Sequence, residues 1–382
     1  MMNYRWIENI GDYEKIGAEW DRALFASGED NPFLLSDFIT TWWKHFGARL
    51  GLRIFAVYDG DRIVGGLPLC SNKAGRFEHV GAINANYTEW LSTGDVSCLW
   101  AVLCEALSNR GDWRLIHLAR YRKDKLWPDL SVLGGAAQKD KTLFDAFPGD
   151  KTYIVDIPGN FTGYDEHLPK KLRYYVRRSI KEFSGLGKVS LNALTEASET
   201  EKAAGLFMDF SRRSFGSRGM ESAFDNSAYR AYFLELTAKM LKAGFLQAHT
   251  LKVNDRVAAI HFGFSIGNNL NYVFTTYDID LAGLNPGHLL IYKLVEAGSL
   301  KGKKEFDMYP GRKLYKEQWA DRAGETFMIE LRPDTMAGRM DRLITGAIRS
   351  SGILKKTKDM IKSVRPLRRA ADRVRNAVKD YV

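Results

Sequence analysis

Hydrophobic residues recur along this chain with two spacings, one near the helical period and one of strict alternation, and their order outlines the architecture. Trp20, Leu24 and Phe25 line one helical face. After Asn31-Pro32, Phe38, Ile39, Trp42, Trp43 and Phe46 line another, with Ser36 as the expected N-cap. Residues 52–58 then alternate as a strand, Asp59-Gly60-Asp61 turns, and residues 62–69 return as its partner. Further strands are expected at 77–80, just before Leu91, and at 113–118 and 152–157, with a helix over 96–108. The rest of the chain repeats that order. A basic helix is expected at 169–183 and a strand at 189–194, followed by helices over 199–215 and 227–243. A hairpin (245–252 with 257–265, turning at Asn254-Asp255-Arg256) follows, then a strand at 271–277, a helix opening at Asn285-Pro286-Gly287, and a strand at 305–308. Two similar halves imply two domains, over 1–157 and 158–335, with a helical tail at 336–382.

The helix at Asn285 is where this pattern first suggests chemistry. Asparagine suits an N-cap, proline the first helical turn, and Gly287 lets a ligand approach the backbone closely. A strand feeding such a helix start offers unpaired N–H groups and the positive end of the helix dipole to an anion, although an ordinary capped helix reads the same way.

Composition narrows the class. With 45% hydrophobic and 27% charged residues in 382, the chain is expected to be globular and soluble. No run approaches the ~18 apolar residues of a spanning helix, and the opening MMNYRWIENIGDYEK lacks the apolar core of a secretory signal. Cys70, Cys98 and Cys104 are not in metal-ligand spacing and read as thiols of a reducing cytoplasm, so no metal is expected. The net charge of +10 is concentrated in the tail. Residues 336–382 carry 13 Lys+Arg against 4 Asp+Glu, and the remaining residues carry 43 against 42. Apolar positions in that tail (Leu343, Ile344, Ile348, Ile353, Leu354, Met360, Ile361, Val364, Leu367) fall at helical spacing. A basic amphipathic helix fits an anionic membrane surface. The competing readings are packing on the protein body, an anionic nucleotide held by Arg365, Arg368 and Arg369, and, last, nucleic acid.

The order of helices, hairpin, strand, anion-binding helix and strand resembles the GNAT acetyltransferase fold present twice in tandem: an α/β (α+β) class, each domain a mixed central sheet flanked by helices. Within it the chain is similar, over about residues 5–332, to the BioF2-like or CelD-type acyltransferases of exopolysaccharide loci, relatives of the FemABX peptidyltransferases. The pieces carrying the likeness include Asn31-Pro-Phe with Trp42-Trp-Lys-His-Phe46, the Val57–Gly65 turn, Leu172-Arg-Tyr-Tyr-Val-Arg-Arg178, and Tyr277-Asp278 with Pro286-Gly287-His-Leu-Leu290. Phe306-Asp307, Gly311, Tyr315-Lys316 and Trp319 complete them.

The resemblance implies an N-acetyltransferase using acetyl-CoA, or another acyl-CoA, on an amino sugar or similar amine. The acceptor would be a glycan, a nucleotide-sugar or a lipid-linked sugar, and the enzyme cytoplasmic or peripheral at the inner membrane. It places the donor pyrophosphate at Asn285, Pro286, Gly287, His288 and Leu289. The usual loop has more glycines than the Gly283 and Gly287 present here, so an aminoacyl-tRNA donor of the FemABX kind, or a non-catalytic scaffold regulated through its tail, stand as alternatives. The first half has no comparable loop, so only the second is expected to bind a donor. Following the last strand, Lys316 is expected to neutralise a phosphate or the oxyanion, and Tyr315 to protonate the departing thiolate. Asp307 is a candidate general base, and so is His261, which lies on the face of its strand opposite Ile260 and Phe262. For the acceptor, Arg173, Arg177 and Arg178 offer guanidinium forks to phosphate, and Tyr87, Glu89 and Trp90 offer stacking and hydrogen bonds to a sugar.

Overall fold

The computed structural model describes residues 2–82, 84–125, 130–311 and 313–350. The chain opens with β1 (Met2–Ile7), α1 (Ile10–Ala26), α2 (Ser36–Phe46), the hairpin β2 (Gly51–Asp59) and β3 (Arg62–Ser71), β4 (Arg76–His79) and the short β5 (Leu91–Ser92). Then come α3 (Val96–Ser108), β6 (Leu115–Arg122), α4 (Leu130–Lys139) and the long β7 (Thr142–Asp156). Beyond it lie α5 (Tyr164–His167), α6 (Lys170–Leu186), β8 (Val189–Ala193), α7 (Ala197–Gly216) and α8 (Ser227–Lys242). The hairpin β9 (Leu246–Val253) and β10 (Arg256–Ile266) leads to β11 (Asn269–Tyr277), α9 (Pro286–Leu300), β12 (Glu305–Asp307), α10 (Leu314–Trp319), β13 (Arg322–Pro333) and α11 (Met336–Ser350).

These elements form two compact units, and their boundaries differ from the expected 157 and 335. One unit is the continuous stretch Asp150–Glu325; the other joins the chain up to Gly149 to the chain from Thr326 onward. The cause lies in two strands that alternation alone did not delimit. Each of β7 and β13 runs across a boundary, and the far part of β13 pairs with β6 (Thr326↔Arg122, Leu331↔Ile116), completing the first unit's sheet. The described part of the expected tail, α11, therefore belongs to the first unit; residues 351–382 lie outside the described residues.

The repeat is structural. In the first unit the β2–β3 hairpin precedes β4, α3 and β6, with β4 and β6 parallel over three rungs, Arg76↔Leu115 to Glu78↔His117. In the second the β9–β10 hairpin precedes β11, α9 and β12, with β11 and β12 parallel over Asn269↔Glu305 to Asn271↔Asp307. Each is a strand–helix–strand crossover, which brings the helix start to the end of the preceding strand. Within the second unit the two faces of its strands divide the side chains. Leu251, Ala259 and Leu270 pack beneath α6 and α9, while Phe262 and Phe274 meet Phe207 and Phe233 of α7 and α8. Leu67, Phe77, Trp100, Leu103, Ile116 and Ile329 centre the first unit's core.

At the start of α2 the residue expected as N-cap is one place too late. Leu35 occupies the cap, and Ser36 is the first helical residue, its N–H and hydroxyl both donating to the carboxylate of Asp21.

Candidate active site

The second unit gathers its chemistry around the point where β11 and β12 part. Their common rungs end at Asn271 and Asp307, yet β11 runs on to Tyr277, so its outer edge continues without a strand partner among the described residues. A short 3₁₀ turn, Ile279–Leu284, carries the chain from that edge to α9. Asn285 holds the cap position in the left-handed region (φ 56°, ψ 51°) and makes no side-chain bond to the helix start. That conformation suits asparagine better than most residues. Pro286 supplies the first turn and is buried, and a Cβ built at Gly287 would meet nothing within 4 Å. The helix start is thus left uncapped by its own cap residue, with open space beside Gly287.

The corresponding helix in the first unit is closed. Asp95 caps α3, its carboxylate accepting from Ser97 N–H at 2.9 Å and from the Ser97 hydroxyl at 2.6 Å, and these bonds hold its pKa down. An anion is already in place there, which satisfies one of the first-turn N–H donors and opposes a second negative group.

Three elements fix the open helix start. From α6 the Ser179 hydroxyl donates to the carbonyl of Leu284 at 2.7 Å, and Tyr175 stacks on His288 with ring centres 5.5 Å apart. From α7 Arg213 donates to Asp280 at 2.8 Å and to Asp278 at 3.4 Å; Arg256 of β10 meets Asp278 at 2.6 Å. Asp278 is 4% exposed and also accepts from the N–H of Asp280, so one carboxylate organises the turn between β11 and α9.

His288 offers no positive charge beside this helix start. Trp319 donates its indole N–H to His288 Nδ1 at 3.0 Å, and burial pushes the imidazole pKa down. A nitrogen that accepts a hydrogen bond carries no proton, so the ring is neutral and packed between Tyr175 and Trp319. Leu289 is buried in the core beneath α9.

At the other side of the opening Asp307 is 3% exposed and accepts from the N–H of Tyr309 at 2.7 Å. Tyr309, itself in the left-handed region at φ 64°, donates its hydroxyl to Asn271 Oδ1 at 2.9 Å. Lys316 is 9% exposed, and its ammonium donates to the carbonyls of Tyr309 and Pro310. Burial pulls the lysine down to about 8 against the opposing attraction of Asp307. Tyr315 packs on the core and burial raises it to about 12, which keeps the phenol protonated. His261 is 2% exposed, its ring between those of His249 and Tyr272, and burial drives its pKa well below the ordinary range. It is neutral and enclosed.

The expected acceptor residues fare differently. Arg173 donates to the carbonyls of Glu166 and Leu168, Arg177 to Asp165 at 2.7 Å, and Arg178 to Glu182 at 2.8 Å. Part of the expected phosphate-binding capacity is therefore already engaged. Lys170 and Lys181 add charge beside them along a hollow of about 720 Å³ on α6. Tyr87, Glu89 and Trp90 are not a sugar platform: their exposures are 1%, 1% and 2%. Glu89 takes the guanidinium of Arg122 at 2.6 Å, Arg122 lies over the Tyr87 ring, and Trp90 meets Phe55 and Trp100 edge-on in the first unit's core. A polar-aromatic run can be read as a loop only while its partner, here an arginine 33 residues away, is unknown.

Asn271, Tyr309, Ser179 and Arg213 were not singled out by sequence. Asn271 had a signal, an amide between Leu270 and Tyr272 at the start of an apolar run; the Nδ2 it leaves buried meets no acceptor among the described residues. A second hollow, of about 550 Å³, lies along α7 and is lined by Asp209, Phe210, Arg212, Arg213, Met220 and Asp225. Among the described residues no group of three or more His, Cys, Asp or Glu is placed to hold a metal ion, and no helix is long and apolar enough to cross a membrane.

Residues 170–317 match the family model of the acetyltransferase (GNAT) domain. Among solved structures the chain is similar to FemX, with a TM-score of 0.59 at 12% identity over 85% of this chain and 98% of that one. It is likewise similar to L-PGS from Bacillus licheniformis (0.54, 14%, 91% and 99%). The C-terminal domain of a putative lysylphosphatidylglycerol synthetase from Agrobacterium fabrum is a third (0.52, 7%, 88% and 96%). No curated protein matches the sequence. The domain match, set on a fold of two such units, supports a GNAT-type transferase.

Proposed function

We propose that the second unit transfers an acyl group from a coenzyme A thioester to an amine, with the donor lying along the free edge of β11 and its pyrophosphate at the start of α9. The observation that carries this is the contrast between the two helix starts: Asp95 fills the first, while Asn285 leaves the second open. Bound there, the thioester supplies the activated carbonyl. Gly287 and the first-turn N–H groups face the phosphates. The Lys316 ammonium, held by two carbonyls, stabilises the negative charge that develops on the carbonyl oxygen. Tyr315, protonated at neutral pH, gives a proton to the departing sulfur, and Asp307 takes one from the attacking amine, directly or through water.

The acceptor is best read as an amino sugar bearing phosphate, as a nucleotide or lipid diphosphate would supply, in the making of a surface polysaccharide. The basic hollow of α6, whose helix touches the start of α9, supports that reading. A second reading is aminoacyl transfer from tRNA, favoured by the same basic face; it predicts tRNA affinity that falls steeply with salt and no affinity for coenzyme A.

Calorimetry with acetyl-CoA on wild type and Gly287→Asp tests the leading reading. A Cβ added at Gly287 meets nothing within 4 Å, so the substitution fits at its first atom and loss of binding reports repulsion of the phosphates. If wild type fails to bind, or the variant binds as tightly, the donor site is elsewhere.

A further inference from the structure

The helix α11 is mounted with its polar side toward the protein and its apolar side away from it. Asp341 accepts from buried Arg332 at 2.6 Å, and Thr345 accepts from the same guanidinium at 3.2 Å. Arg342 donates to Asp145 at 2.6 Å, and Arg349 reaches Glu330 and lies over the Phe147 ring. Those contacts all belong to one side of the helix. The other side carries Met336, Met340, Leu343 and Ile344 at the i, i+4, i+7, i+8 spacing of a single stripe, with exposures of 78, 54, 68 and 54%. A helix that only packs on its own domain buries its apolar side and solvates its charges; here the ion pairs spend the charged side on anchorage. Contiguous exposed apolar side chains on a fixed scaffold mark an interaction surface.

We propose that this stripe inserts into the interfacial layer of an anionic lipid bilayer and holds the enzyme there. The choice of occupant rests on charge. The chain that continues directly from Ser350 carries 10 Lys+Arg against 3 Asp in its 32 residues. That excess repels a second copy of the same chain and is attracted to anionic headgroups, while the four apolar side chains supply the non-electrostatic part of the attachment. The inference does not depend on the transfer chemistry proposed for the second unit.

Flotation of the full chain with two kinds of vesicle tests it: phosphatidylcholine alone, and phosphatidylcholine containing phosphatidylglycerol. The protein is expected to float with the second kind and not the first. The double variant Met340→Glu/Leu343→Glu, placed at exposed positions, is expected to keep the wild-type melting temperature and to bind at least ~10-fold more weakly. The proposal is overturned if nothing floats, if both vesicles are bound alike, or if the variant floats as wild type does, which would leave the attachment to the basic chain alone. It is equally overturned if light scattering finds a dimer that the same variant dissociates, since a second copy would then cover the stripe. Should the variant lose its fold, Leu343→Ser alone carries the same comparison.

Discussion

Lys316 and Tyr309 are joined main chain to side chain: the ammonium donates to the Tyr309 carbonyl at 3.1 Å, on a residue whose own hydroxyl reaches back to Asn271 at the last common rung of β11 and β12. The lysine therefore belongs to the frame of the opening as well as to its charge. Replacing it by methionine is expected to lower the turnover number by about 100-fold, the scale of losing one preorganised donor to a developing oxyanion. Lys316→Arg is expected to restore little, because a planar fork does not fit between two carbonyls placed for an ammonium. Steady-state kinetics on both variants, beside acetyl-CoA affinity, checks this; unchanged turnover in the methionine variant removes Lys316 from the chemistry.

The same lysine sets a pH signature for stability. Its folded value of about 8 lies below the ordinary 10.5. Between those values the unfolded chain holds more protons than the folded one, so this residue makes stability rise with pH across that window and contributes nothing to the slope below it. Thermal melts of wild type and Lys316→Met at pH 7, 8, 9 and 10 should diverge in favour of wild type as pH rises. Parallel curves would contradict the burial inferred for the ammonium.

In the first unit the sign is reversed. Burial pushes the carboxyl of Glu29 up to about 7, and the guanidinium of Arg122 only partly opposes this. The folded state holds that proton when the unfolded chain has lost it, so stability from this group is present below pH 4.5 and is lost as pH climbs through 7. Glu29→Gln should therefore raise the melting temperature at pH 8 by more than at pH 5. A variant less stable at pH 8 than wild type would show that the Arg122 pair outweighs the burial.

Asp278 is expected to matter for donor binding at a distance. Asp278→Asn keeps the shape but removes the charge shared by Arg256 and Arg213. Loss of a charged hydrogen-bond partner at a buried position costs about 1–3 kcal/mol, and the 3₁₀ turn before α9 should loosen. Acetyl-CoA affinity is expected to fall together with stability, while Asp95→Asn in the first unit should cost about 1 kcal/mol or less of stability and leave affinity alone. Equal affinity for the Asp278 variant would mean the turn is rigid without it.

How far the sequence could be read depended on whether a feature was local. Both hairpins, α3 and the strand–helix–strand order were legible because alternation and helical spacing act over a few residues, and α3 came out at its observed bounds, Val96–Ser108. The start of α9 was legible for the same reason, through Asn285-Pro286-Gly287. The role of Glu89, in the loop before β5, was not, since Arg122, which engages it, lies on β6 with no shared period. Nor was the neutrality of His288, which depends on Trp319 donating to one of its nitrogens. For α11 the amphipathic pattern was plain, but pattern does not say which side faces the protein; that was decided by Asp145, Glu330 and Arg332, all outside the helix.

The strand β13 has a consequence for how the protein is made. The first unit cannot finish its sheet until Thr326–Leu331 are available to pair with β6, and those residues are synthesised after the whole of the second unit. At ~5–20 residues per second on the ribosome, the edge of β6 waits while some 200 further residues are added, long enough for the inserted unit to fold first. An unpaired strand edge invites non-native pairing. The vulnerable species in biosynthesis is thus the early half of the chain, and a truncation ending before residue 326 should aggregate even though it contains the entire second unit.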